Sequence, residues 1–199
     1  MASNPFGLMI QPRQTWTRLS EKMPASLPAA LVYPLILAAL PAVAWYFGTT
    51  RKGWAIGSSD LVKLTTDSAL TIVILFYAAM VAAVIGVGVM LHWMSRTYGA
   101  QSTVAKGIAI AGFTATPLFI AGVLGFHPSF LIDLMVGLGA ACYAVYLLYI
   151  GIPIVMRIPE ERGFLFASAV LAVCFVFLIV IMGASVMLWD MGAAPTFID

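Results

Sequence analysis

The sequence predicts an all-α, polytopic membrane protein: a bundle of five transmembrane helices preceded by a short amphipathic helix. Three observations predict it. The chain is 62% hydrophobic and 9% charged over 199 residues, with a mean hydropathy of +1.03, whereas a soluble domain is roughly 45–50% apolar and about 25% charged. Apolar runs of about 20 residues, the length that crosses a bilayer at 1.5 Å per residue, recur five times. Lys and Arg collect on one side of those runs.

The first 26 residues come before any span and hold "NPFGLMIQPRQTWTRLSEKMP". Pro12 suits the first turn of a helix. Trp16, Leu19 and Met23 then share one face, with Arg13, Thr17 and Glu21 turned away. That pattern is expected to lie in the inner headgroup region with Trp16 as anchor. A helix that docks a soluble partner has the same pattern.

Five spans follow within residues 27–189: Leu27–Phe47, Ser68–Met94, Gly107–Phe126, Ser129–Ile158 and Gly163–Trp189. The third and fourth are joined by a tight His127-Pro128 corner. Residues 190–199 form a short tail. The first apolar run is already as long as a full span, so insertion without a cleaved signal peptide is expected.

Orientation follows from the loop charges. Arg13, Arg18, Lys22, Arg96, Lys106, Arg157 and Arg162 fall on the side of the N-terminus, and Arg51, Lys52 and Lys63 on the other. Seven against three puts the N-terminus in the cytoplasm and the C-terminus outside it. Glu21, Glu160 and Glu161 fall inside, while Asp60, Asp67, Asp133, Asp190 and Asp199 fall outside.

Catalytic motifs are missing. No Walker loop, GxGxxG, GxSxG or HExxH occurs, and no catalytic residue, cofactor or metal is expected. Cys142 and Cys174 lie in apolar runs without CxxC or Cys/His spacing, and read as small buried hydrophobes. Without a basic stripe, nucleic acid is not an expected partner. His92, beside Trp93 and Arg96, reads as an interfacial anchor.

Small residues carry more information. Ala78, Ala82 and Gly86 recur every four residues on the second span, as do Gly107, Ala111 and Ala115 on the third and Gly137 and Ala141 on the fourth. Lipid gives no hydrophobic drive between helices, so close approach over small faces holds a bundle together. The same pattern marks a self-association face, and spacing alone does not separate the two.

Prolines interrupt three spans: Pro34 and Pro41 in the first, Pro117 in the third and Pro153 in the fourth. Pro117 leaves the Phe113 carbonyl unpaired, and Pro153 that of Tyr149. Thr114 and Thr116 lie beside the first break, while Tyr143, Tyr146 and Ile150 lead towards the second. Facing broken helices can present carbonyls to an ion or small solute. Kinks that only shape the bundle leave the same signature, and this is the favoured reading. Pro159 ends the fourth helix at the interface, where Arg157, Glu160, Glu161 and Arg162 meet water.

Asp133 is the one acidic residue inside a span. An acid at such depth marks a functional site by default. Two outcomes are open. It snorkels or pairs with Arg51, Lys52 or Lys63, or it joins His127, Asp67 and Asp190 in a cation-attracting vestibule.

At "YPLILAALPAVAWYFG", "FTATPLFIAGVLGF" and "YAVYLLYIGIPIVMRIPEER" the chain resembles the Yip family of five-helix membrane proteins, and "NPFGLMIQPRQTW" resembles the opening of bacterial Yip-domain proteins. The likeness covers roughly residues 4 to 165. It implies five spans and a cytoplasmic N-terminus, and brings no catalytic residues. Eukaryotic members, named for interaction with Rab GTPases, carry a long cytoplasmic N-terminal region. The short segment here points instead to a bacterial inner-membrane member.

The resulting expectation is a non-enzymatic inner-membrane protein that sits in the lipid bilayer and binds copies of itself or other membrane proteins. The alternative is a transporter, channel or lipid-handling protein with a path for a small solute or ion near Pro117 and Pro153.

Overall fold

Pro5 and Pro12 each open a short helix, α1 (Pro5–Ile10) and α2 (Pro12–Glu21), in a computed structural model that describes residues 5–54 and 61–198. Asp60 and Asp199 lie outside the described residues. The chain continues through α3 (Leu27–Phe47), α4 (Thr66–Ser95), α5 (Val104–Thr114), α6 (Thr116–Ala121), α7 (Phe130–Met156) and α8 (Glu160–Leu188). Four of these are each long and apolar enough to cross a membrane. Val104–Thr114 and Thr116–Phe126, bent by 43° to one another, are together long and apolar enough to make a fifth. The protein is thus an all-α polytopic membrane protein, as its composition requires.

The helix ends follow local chemistry. Thr65 and Thr103 cap α4 and α5 by accepting the backbone N–H of Ser68 and Lys106. α7 ends in a Schellman-type turn: Arg157 adopts a left-handed backbone (φ 54°), and the Ile158 N–H donates to the Pro153 carbonyl at 3.2 Å. Pro159 then starts α8. Two short strands, β1 (Lys63–Leu64) and β2 (Phe197–Ile198), pair antiparallel and tie the tail to the loop before α4. We call this the ribbon end of the bundle, and the α7–α8 turn the hairpin end.

α3 packs on the bent pair through a seam of prolines and glycines. A Cβ added to Gly112 would meet the ring of Pro34 at 3.4 Å, and one on Gly125 would meet Trp45 at 2.6 Å. Gly122 leaves similar room for Pro41, and Gly48 for the Gly125 carbonyl. α4 meets α5 as closely, since a Cβ on Gly88 would lie 2.5 Å from Ile108 Cα. Backbone approach over glycine is how helices gain packing when lipid is the solvent.

The N-terminal helices enter this bundle. Trp16 and Leu8 are fully buried, and Trp16 lies on Gly151 of α7 with its ring edge-on to Phe113 at 6.2 Å. The Tyr143 hydroxyl donates towards the Leu8 and Met9 carbonyls at 3.0 and 3.2 Å. Tyr143 is mid-helix, about 20 Å from the end of α7 at 1.5 Å per residue. The headgroup anchor expected of Trp16 is therefore corrected: its indole packs on protein. The reason is steric, because only a glycine at position 151 lets an indole lie flat against the helix.

Candidate functional site

At the ribbon end, Asp133 sits in the first turn of α7, and its Oδ2 accepts the Ser129 N–H at 2.8 Å. The carboxylate thereby caps its own helix, where the macrodipole favours negative charge. Oδ1 is buried and has no hydrogen-bond partner among the described residues. The expected cations go elsewhere. Arg51 lies over the Phe47 ring at 4.9 Å, Lys52 Nζ meets His127 Nε2, and Lys63 belongs to the ribbon.

A cavity of about 350 Å³ at this end is lined by Trp45, Trp54, Phe130 and Asp133, among others. His127, Asp67 and Asp190 do not line it, and Asp67 and Asp190 are exposed. Of the four residues expected to form a vestibule, Asp133 is the one that lines this cavity. Among the described residues no group of three or more His, Cys, Asp or Glu could hold a metal ion. Asp133 follows Ser129 by four residues rather than the three of a capping box, so the sequence carried no standard signal for this cap.

The two proline positions behave differently. At Pro117 the chain does change direction, with α5 ending at Thr114 and α6 beginning at Thr116. Thr116 is fully buried, and its hydroxyl pairs with the Tyr33 hydroxyl of α3 at 2.8 Å. The Thr114 hydroxyl is buried without a partner among the described residues. At Pro153, by contrast, α7 runs unbroken to Met156. The break expected there is corrected, because Pro153 falls in the last turn and a Cβ on Gly163 of α8 would meet it at 2.7 Å. Tyr149 braces the same hairpin, its hydroxyl 2.8 Å from Ser168 Oγ.

The small-residue faces also divide. Ala78 and Ala82 are exposed, while a Cβ on Gly86 would lie 2.8 Å from Phe177 of α8. The closest contact of α4 is made instead by Gly88 with Gly107 and Ile108. Sequence spacing had found Gly107 but missed Gly88, which lies two residues beyond Gly86 and hence on another face. Gly137 has nothing within 4 Å of an added Cβ, and the same holds for Gly139 and Gly183. His92 Nδ1 lies 2.8 Å from the Ser102 carbonyl and so ties the end of α4 to the next loop, while Trp93 is exposed.

Two grooves flank α2. One, about 670 Å³, lies between α2 and α3; it is lined by Arg18, Lys22, Val32, Tyr33, Ile36 and Phe113, among others, with no carboxylate. The other, about 550 Å³, lies between α2 and the α7–α8 hairpin. There Arg13 shares the wall with Glu160, Tyr146, Tyr149 and Pro153.

These features define a class: an integral membrane bundle whose glycines and prolines serve close packing. The chain belongs to the Yip1 domain family, whose model matches residues 6–182. It is similar to the inner membrane protein YohC of Escherichia coli K12 and of E. coli O6:H1, in each case 37% identical over 158 residues that cover 79% of this chain and 81% of the relative. No solved structure matches it.

Proposed function

We propose that this Yip-family chain is a non-enzymatic inner-membrane protein that works by assembling with copies of itself through the ribbon-end halves of α7 and α8. One observation carries the reading. Gly137 on α7 and Gly183 on α8 face open space, amid exposed apolar neighbours such as Leu134, Leu138 and Ile179. Small residues in a membrane helix favour close helix–helix approach, and the same chain uses Gly88, Gly107 and Gly122 in that way. Ala141, one turn beyond Gly137, continues the face.

The inner-membrane location rests on the relatives named above. The loop-charge bias supports a cytoplasmic N-terminal side and an outer C-terminus, with residues 1–26 entering the bundle from the cytoplasmic side of the first span. A reporter fused after Asp199 is expected to be active outside the cytoplasm, and one inserted near Gly99 inside it. The reverse pattern would sink the orientation.

Native mass spectrometry from lipid nanodiscs tests the assembly. The unmodified chain is expected to appear as a dimer or higher oligomer, and Gly137→Leu as a monomer of unchanged melting temperature. A monomer throughout, or an oligomer indifferent to Gly137→Leu, would reject it.

A further inference from the structure

α2 packs beside α7 with its apolar face, and this leaves its polar face in membrane territory. Trp16 sits on Gly151, five residues from the end of α7, about 8 Å below it at 1.5 Å per residue. Arg18 and Lys22 follow along α2 towards the same end, which places them near headgroup level. The wall facing them belongs to α3 and is apolar: Val32 and Ile36 are 54% and 63% exposed, so they meet acyl chains rather than protein. Tyr33 adds only its ring to that wall, because its hydroxyl is engaged by Thr116 and the ring packs on Phe113 at 4.4 Å.

The groove is therefore cationic at its mouth and apolar along its length. That matches one kind of molecule. A phosphate ester answers the two cations, and a hydrocarbon chain answers the α3 wall. The groove on the opposite face of α2 makes the contrast useful. There Glu160 stands in the same wall as Arg13, so the local charge is already balanced. Of the two grooves that flank α2, the α2–α3 groove is the one whose lining holds cations without a carboxylate, together with a lipid-facing wall.

We propose that the groove between α2 and α3 is a binding site for one phospholipid with a net-anionic headgroup. Arg18 and Lys22 hold the phosphate, and one acyl chain runs along Val32 and Ile36. Lipid would then complete the seat of the N-terminal helices, by filling the gap that α2 leaves against α3.

Purified protein in nanodiscs containing both phosphatidylglycerol and phosphatidylethanolamine, released for native mass spectrometry, provides the test. Retained lipid is counted per protomer, so the result does not depend on self-association. One phosphatidylglycerol per protomer is expected, preferred over phosphatidylethanolamine by roughly thirtyfold from two cation contacts. The double variant Arg18→Gln, Lys22→Gln should bring that preference near to parity. Ile36→Trp, which fills the groove and leaves both cations, should also lose the retained lipid. Arg13→Gln, in the balanced groove, should leave it unchanged. Each variant is accepted only with a wild-type circular dichroism spectrum, and conservative Arg18→Lys should restore retention if folding is in question. Equal retention by the double variant, or equal loss in Arg13→Gln, would mean that lipid is drawn only by diffuse charge and would overturn the site.

Discussion

Compare Gly107 with Gly137. Both are glycines in transmembrane helices, each the first of a run of small residues spaced by four. Gly107 has the Gly88 carbonyl so close that no Cβ could stand between them, while Gly137 has nothing within 4 Å. The first belongs to a half of the bundle where α3, α4, α5 and the hairpin end of α7 are locked over glycine and proline. The second belongs to a half where α7 and α8 lie exposed along most of their circumference. Equal composition therefore serves unequal ends, and only the neighbour decides which.

Substitutions can break the comparison. The largest effect is expected at Gly107→Ala. The added methyl meets backbone, which cannot swing aside, so α4 and α5 must separate at a cost of about 3 kcal/mol, near the top of the overpacking range. Melting in detergent should fall sharply, and a wild-type melting curve would show that the two backbones are not in contact. Gly86→Leu should cost less, about 1 kcal/mol, because the first obstacle is the far edge of the Phe177 ring, which can shift. A loss as large as that at Gly107 would contradict that ranking.

Much of the architecture was legible in the chain. The first predicted span coincides with α3, three others match α4, α7 and α8 to within a few residues, and the third falls on the bent pair, because runs of about 20 apolar residues with charged flanks mark out helices long enough to cross a bilayer. The His127-Pro128 corner and the stop at Pro159 were equally plain, since proline acts on the local backbone. What was not legible depended on partners. Trp16 reads as an interfacial anchor until Gly151 is found beneath it. Asp133 reads as an ion site until the Ser129 N–H is found on its carboxylate. Ala78, Ala82 and Gly86 share a register, yet Ala78 and Ala82 are exposed while Gly86 lies against Phe177, and Gly88, outside that register, makes the closer contact.

The smallest effect is expected at Pro153→Ala. Its ring sits in the last turn of α7, where one restored hydrogen bond to the Tyr149 carbonyl and a lost contact with Gly163 offset each other. The melting temperature should move by no more than a few degrees, about 1 kcal/mol in either direction. Loss of ion or solute flux from reconstituted vesicles in both Pro153→Ala and Pro117→Ala, but not in Val155→Ala, would revive the transport alternative.

In the proposed assembly a second copy covers the exposed half of the bundle. A cysteine scan along residues 132–142, in a background with Cys142→Ser and Cys174→Ser, addresses this directly in native membranes. Oxidative cross-linking between copies is expected to rise and fall with a helical period of 3.6, peaking at Gly137 and Ala141, and to be absent from control sites at Ile108 and Ile110 on α5. Uniformly weak cross-linking along the whole stretch would mean that lipid alone covers this half of α7, and would contradict the account.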